Sequence, residues 1–202
     1  MGHNTGWLAL GAGIAAGADV ILIPEIPYSV EAVAGSILAR HRNGKSFSIV
    51  AVAEGAMSKD EHDRLQKLEE KKSSAKNKDK KQDAKAEIGE FHSDRTDHTI
   101  NLTHQLEELT SLEARVTILG HLQRGGTPSA TDRLLASRLG TMAANEIMSG
   151  RFGNMMAVKA DGIVPVSVDT VAGIKKYVPL DHQWIDTARR LGTCLGDTEI
   201  KY

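Results

Sequence analysis

The chain has 202 residues, a single cysteine (Cys194), and 25 basic against 26 acidic side chains for a net charge of -1. One thiol excludes an intrachain disulfide framework and points to a reducing compartment. The balanced charge excludes a global pull toward nucleic acid or anionic lipid, and no apolar run reaches the roughly 18 residues that span a bilayer. The glycine-rich start, "MGHNTGWLALGAGIAAGADVILIP", lacks a basic leader and carries Asp19, so it does not read as a secretion signal. A cytoplasmic protein without membrane or nucleic-acid partners is expected.

Residues 5–17, "TGWLALGAGIAAG", read as a helix of small residues that packs closely on a neighbour. "DVILIP" (19–24), stopped by Pro24, reads as a buried strand. Ser29 is placed to cap the next helix, whose Val30, Val33, Ala34, Ile37 and Leu38 share one face, and the run from His41 to Gly44 ends it. "FSIVAVAEGA" (47–56) is a second buried strand with Glu54 at its end. A β-α-β order predicts a parallel sheet with a right-handed crossover. Residues 59–85 are mostly charged, with Leu65, Leu68, Ala75 and Ala84 as their apolar positions. That stretch reads as solvated, a helix or a mobile insertion, because it has little surface to bury. Its lysines are interleaved with seven acids and lack a stacking aromatic, which argues against a nucleic-acid surface.

Residues 98–111 suit a helix, and "ARVTILG" (114–120) suits a third strand. Thr127 and Pro128 read as N-cap and first residue of a helix that runs to Met148, with Gly150 beyond its end. Residues 155–168 are strand-like around Gly162, and 184–192 form a last short helix. His92, His98 and His104 recur every six residues, the wrong spacing for one helix face, so they are not read as a metal cluster.

The stretch "LGHLQRGGTP" (119–128) holds the chemistry. Ligands of parallel sheets sit beyond the carboxyl ends of the strands. There Arg124 offers a bidentate phosphate donor. Gly125 and Gly126 permit positive φ or close backbone approach, and a following helix N-terminus favours an anion. With Glu54 as an acceptor for hydroxyls, the set suits a sugar phosphate. A solvated turn punctuated by two glycines is the other reading, and His121, Glu54 and Arg115 each have a structural one. "GAGIAAG" (11–17) has the wrong spacing for a nucleotide loop and precedes its strand, which favours helix packing.

"MGHNTGWLAL" (1–10), "ILIPEIPY" (21–28), "VAVAEGA" (50–56) and "ARVTILGHLQRGGTPSATDRLLASRLG" (114–140) together resemble the phosphofructokinases. The resemblance covers almost the whole chain outside about 58–95. It implies an incomplete three-layer, parallel-sheet, Rossmann-like α/β fold with a charged insertion. It divides the chain into a sugar-phosphate-binding domain (1–122), a segment of a donor domain (123–175) and a C-terminal return to the first domain (176–202). The implied reaction is phosphoryl transfer from ATP to the 1-hydroxyl of fructose 6-phosphate, with magnesium. A pyrophosphate-dependent enzyme or a non-catalytic sugar-phosphate-binding subunit are the alternatives. Met1, Gly2 and His3 match the Met-Gly-Arg motif at the substrate, with His3 where the family has Arg. Glu54 matches a carboxylate on the sugar hydroxyls, His121 and Arg124 the 6-phosphate ligands, and Arg115 an arginine that reaches this phosphate from a neighbouring subunit. A homo-oligomer, dimer or tetramer, is therefore implied. Asp19 and Lys45 match part of an effector site, from which Phe47 departs. The family's donor loop, magnesium ligand and aspartate base match nothing in these 202 residues, so the chain alone is expected to be inactive.

Overall fold

The computed structural model describes residues 4–75, 77–95, 97–160 and 162–197. The chain divides into two compact units, Met1–Ile118 with Lys176–Tyr202, and Leu119–Lys175.

The first unit is an α/β layer structure built on a short parallel sheet. Strand β1 (Val20–Leu22) pairs with β2 (Val50–Val52) in the register Val20↔Val50, Ile21↔Ala51 and Leu22↔Val52. The returning C-terminal segment lies on the other edge of β1, where Val20 bridges Cys194 in parallel sense. Side chains alternate across the sheet. Ile21 and Ile23 pack with Leu10 of helix α1 (Trp7–Ala16) and with Ile185 and Ala188 of α7 (Gln183–Arg190). Val20 and Leu22 pack on the opposite face with Val33 of α2 (Val30–Arg42) and with Leu102 and Leu106 of α5 (His98–Thr110). This is the period-two alternation of a strand covered on both faces, and it produces three layers. As the sequence predicts, Ser29 caps α2 by accepting from the Ala32 amide at 3.1 Å. The small residues of α1 permit its close approach: a Cβ on Gly13 would lie 2.7 Å from Ile21 side-chain carbons.

The charged stretch is helical and ordered by its ends. Helix α3 (Lys59–Ser74) starts in a reciprocal capping box between Ser58 and Glu61, and α4 (Lys78–Asp94) runs back along it. Ala84 and Phe91 are buried, and the Arg64 and Arg95 guanidinium carbons lie 5.6 and 5.8 Å from the Phe91 ring centroid. Phe91 lies beyond residue 85, outside the stretch whose composition argued for solvation.

Two expectations fail locally. Residues 114–119 form no strand. A cavity of about 640 Å3 is lined both by Val50 and Val52 of β2 and by Leu112–Thr117. Apolar residues alone do not make a strand without an edge to complete the ladder; here the Ala114 amide donates instead to Glu107 Oε1 at 2.8 Å.

In the second unit, helix α6 (Ala130–Met148) begins two residues later than expected. Ser129, not Thr127, is the N-cap: its hydroxyl accepts from the Asp132 amide and the Asp132 carboxylate accepts from the Ser129 amide. That reciprocal pair satisfies two donors where Thr127 offers one acceptor, so Pro128 precedes the cap rather than opening the helix. Residues 155–168 are an antiparallel hairpin, β3 (Asn154–Lys159) with β4 (Gly162–Ser167), in which Ala157 faces Val164.

Candidate functional site

Both strands of the parallel sheet deliver a glutamate just past their carboxyl ends, the place where such sheets bind ligands. Glu54 sits in the exposed turn after β2, followed by the buried Gly55 and Ala56. Glu25 follows β1 and is not among the residues singled out from the sequence. Its Oε1 accepts from the amides of Gly6, at 3.0 Å, and Val178, at 2.9 Å. The signal was present in the sequence: Pro24-Glu25 ends the first strand just as Glu54 ends the second.

His121 and Arg124 lie on one short 3-10 helix, Gly120–Arg124. With three residues per turn, side chains three apart eclipse each other, so this turn presents the imidazole and the guanidinium on one side. Both residues are exposed. Left-handed glycines bracket the turn, Gly120 at φ 48° and Gly126 at φ 96°, a conformation that side-chain-bearing residues rarely adopt. The Gly125 amide closes it by donating to the Leu122 carbonyl at 3.0 Å. A cation and an imidazole on a glycine-hinged, solvent-facing turn are groups able to donate hydrogen bonds to an anion. The helix N-terminus contributes less than the sequence suggested. Asp132 already occupies the first turn of α6, where hydrogen bonds from the Ser129 hydroxyl and amide hold its carboxyl below the usual range.

Arg115 is exposed and paired with Glu113, its Nε and a terminal nitrogen 3.2 and 3.1 Å from the same carboxylate oxygen. It belongs to the first compact unit and the His121–Arg124 turn to the second. Met1, Gly2 and His3 lie outside the described residues. Asp19, matched to an effector ligand, has both oxygens engaged: Oδ2 accepts from the Ile49 amide and Oδ1 pairs with Arg40, each at 2.8 Å. Lys45 and Phe47 line the cavity beside β2. Among the described residues no three His, Cys, Asp or Glu side chains form a group able to hold a metal ion. No described helix is long and apolar enough to cross a membrane.

Residues 1–147 match the family model described as Phosphofructokinase. The chain is 48% identical over 197 residues to an ATP-dependent 6-phosphofructokinase of Propionibacterium freudenreichii, covering 98% of this chain and 53% of that protein. It is 46% identical over 197 residues to one of Spirochaeta thermophila, covering 98% and 49%. The chain thus spans about half the length of the curated relatives it matches. By structure it is similar to the pyrophosphate-dependent phosphofructokinase of Marinobacter aquaeolei, with a TM-score of 0.65 at 19% identity, over 100% of this chain and 48% of that one.

Proposed function

The chain belongs to the phosphofructokinase family, and from that premise we propose that it supplies the grip on the acceptor sugar in phosphoryl transfer to the 1-hydroxyl of fructose 6-phosphate. His121 and Arg124 hold the 6-phosphate by charge-assisted hydrogen bonds. Glu54 accepts from sugar hydroxyls, Met1, Gly2 and His3 border the sugar, and Arg115 reaches the phosphate of a neighbouring copy in a homo-oligomer. The observation that carries this reading is the eclipsed His121–Arg124 pair between two left-handed glycines.

Phosphoryl transfer also needs a positioned donor, magnesium and a base. These belong to the length of the relatives that this chain does not span. ATP is the favoured donor, because relatives at 48% and 46% identity are named ATP-dependent, whereas the pyrophosphate-dependent neighbour is similar in fold at 19% identity. Residues 123–175 act as a segment of the donor domain. Among their described apolar residues none is buried, and Leu134, Phe152 and Met148 are 67%, 73% and 86% exposed. A surface of that kind calls for cover.

Calorimetric titration with fructose 6-phosphate tests the reading. Binding that weakens at least about tenfold in Arg124→Ala, the loss of one charge-assisted contact, supports it; unchanged binding overturns it. Robust turnover by the isolated chain defeats the assignment of donor and base to residues outside it.

A further inference from the structure

We propose that Glu25 is a positioning residue for sugar-phosphate binding: its carboxylate joins the backbone at Gly6 to the backbone at Val178. This rests on the acceptor-grip reading above. One oxygen, Oε1, takes both amides, at 3.0 and 2.9 Å, and the Val178 contact spans 153 positions of chain. Gly6 is the N-cap of α1 and has no side-chain cap of its own, so the carboxylate of a distant residue does that work at the positive end of the helix.

The fit excludes any side chain at position 6. A Cβ there would lie 2.5 Å from Ile23 Cβ and 2.6 Å from Glu25 Oε2. A second tie lies alongside, where Trp7 Nε1 donates to the Lys176 carbonyl at 2.8 Å. Val178 itself is buried.

Two features separate this clamp from ordinary core packing. It stands at the carboxyl end of β1, beside the strand that ends in Glu54, where ligands of parallel sheets bind. It also fixes two passages of chain that matter to the site. One is the backbone at Gly6, three positions along the chain from His3, which the proposed function assigns to the sugar. The other is the point where the chain returns after Lys175, the last residue of the second unit. Among the described residues Oε2 is buried without a hydrogen-bond partner, a cost that a structural tie between two amides does not require. Glu25 thus acts on the sugar through the backbone it holds, while the phosphate grip at His121 and Arg124 is separate from it.

Glu25→Ala and Glu25→Gln in the 202-residue chain test this, with calorimetric titration against fructose 6-phosphate and, separately, inorganic phosphate. Amide hydrogen exchange and the thermal midpoint are followed in parallel. Glu25→Ala is expected to weaken fructose 6-phosphate at least about tenfold, or 1.4 kcal/mol, and to speed exchange at Gly6 and Val178. Inorganic phosphate binding should stay within about twofold of wild type, a margin of under half a kcal/mol. Glu25→Gln keeps an oxygen acceptor and should restore both sugar binding and protection. Wild-type affinity in Glu25→Ala overturns the proposal. So does an equal loss for sugar phosphate and inorganic phosphate, or a Gln variant as weak as the Ala variant. If Glu25→Ala fails to fold, Glu25→Asp, too short to reach both amides, carries the same comparison. If wild type does not bind fructose 6-phosphate, the acceptor-grip reading fails and this proposal with it. Faster exchange at Gly6 and Val178 in Glu25→Ala would then mark the clamp as structural alone.

Discussion

Arg95 and Glu61, 34 positions apart, close the helical hairpin onto the sheet: Arg95 Nε donates to Glu61 Oε1 at 3.0 Å, and a terminal guanidinium nitrogen donates to the Ala56 carbonyl in the turn after β2. The arginine is 10% exposed at its side chain and the glutamate 29%. Glu61 also accepts from the Ser58 amide at 2.8 Å. One side chain therefore connects the start of α3, the end of α4 and the turn that carries Glu54.

Arg95→Ala is expected to destabilise the hairpin by about 2–4 kcal/mol, since it leaves a half-buried carboxylate without its partner. Urea unfolding followed by circular dichroism gives the magnitude, and exchange of the α3 and α4 amides locates it. The pair also sets an acid limb. Burial pushes the Glu61 carboxyl up, but hydrogen bonds from Ser58 and Arg95 outweigh it and hold the group below its ordinary 4.5. With the folded value depressed, the stabilisation is complete above that ordinary value and is lost as pH falls below it. Arg95→Ala should flatten stability against pH in that window.

His98 is a second acid-sensitive group. Burial lowers its affinity for a proton, positive Arg95 lowers it further, and Glu61 opposes them. Among the described residues its buried Nε2 has no hydrogen-bond partner, while Nδ1 meets the Thr99 hydroxyl at 3.0 Å. The unfolded chain takes up a proton near pH 6.5 and the folded chain only at lower pH. Stability is thus unaffected above 6.5 and declines below it, by at most about 1.4 kcal/mol per pH unit. His98→Leu should abolish that decline, which thermal unfolding between pH 7 and 5, a window of about two units around the histidine range, measures directly.

Two glycine-to-alanine changes should have opposite signs. In α1, Gly13→Ala drives a methyl to within 2.7 Å of fully buried Ile21 and should cost about 1–3 kcal/mol by overpacking. In α6, Gly140 has nothing within 4 Å of an added Cβ, so Gly140→Ala should stabilise its helix by about 0.5–1 kcal/mol through chain entropy. Paired denaturant titrations compare the two.

Glu54→Gln tests the division of labour at the proposed site. Replacing a charged acceptor should weaken fructose 6-phosphate about tenfold. Inorganic phosphate binding should be unaffected, because that group meets His121 and Arg124 instead. Equal losses for both ligands would remove Glu54 from the sugar hydroxyls.

The helices at 5–17, 30–42, 98–111 and 184–192 and the first two strands were legible because each carries its own signals. These are a capping serine before α2, one apolar face along α2, and two β-branched runs ended by Pro24 and Glu54. The turn at 119–128 was legible because glycines at positive φ and a charged pair three residues apart are local features. Family membership was legible for the same reason, through long runs of specific residues.

The tertiary structure decided what depends on a distant partner. "ARVTILG" has strand composition but no ladder: β2 pairs with β1, and the Ala114 amide donates to the Glu107 side chain instead of to a strand. The charged stretch is helical because Phe91 and Arg95 tie its far end to Glu61 and Ala56, contacts that the mostly charged window from 59 to 85 does not contain. Helix α6 starts at a reciprocal Ser129–Asp132 box rather than at the Thr-Pro pair that precedes it. Glu25 became visible only when the fold brought Gly6 and Val178 to one oxygen. Local periodicity and turn chemistry are properties of neighbouring residues, so sequence alone determined them. A ladder, a buried ion pair or a carboxylate shared by distant amides exists only once the chain has closed, because each needs a partner that sequence proximity does not supply.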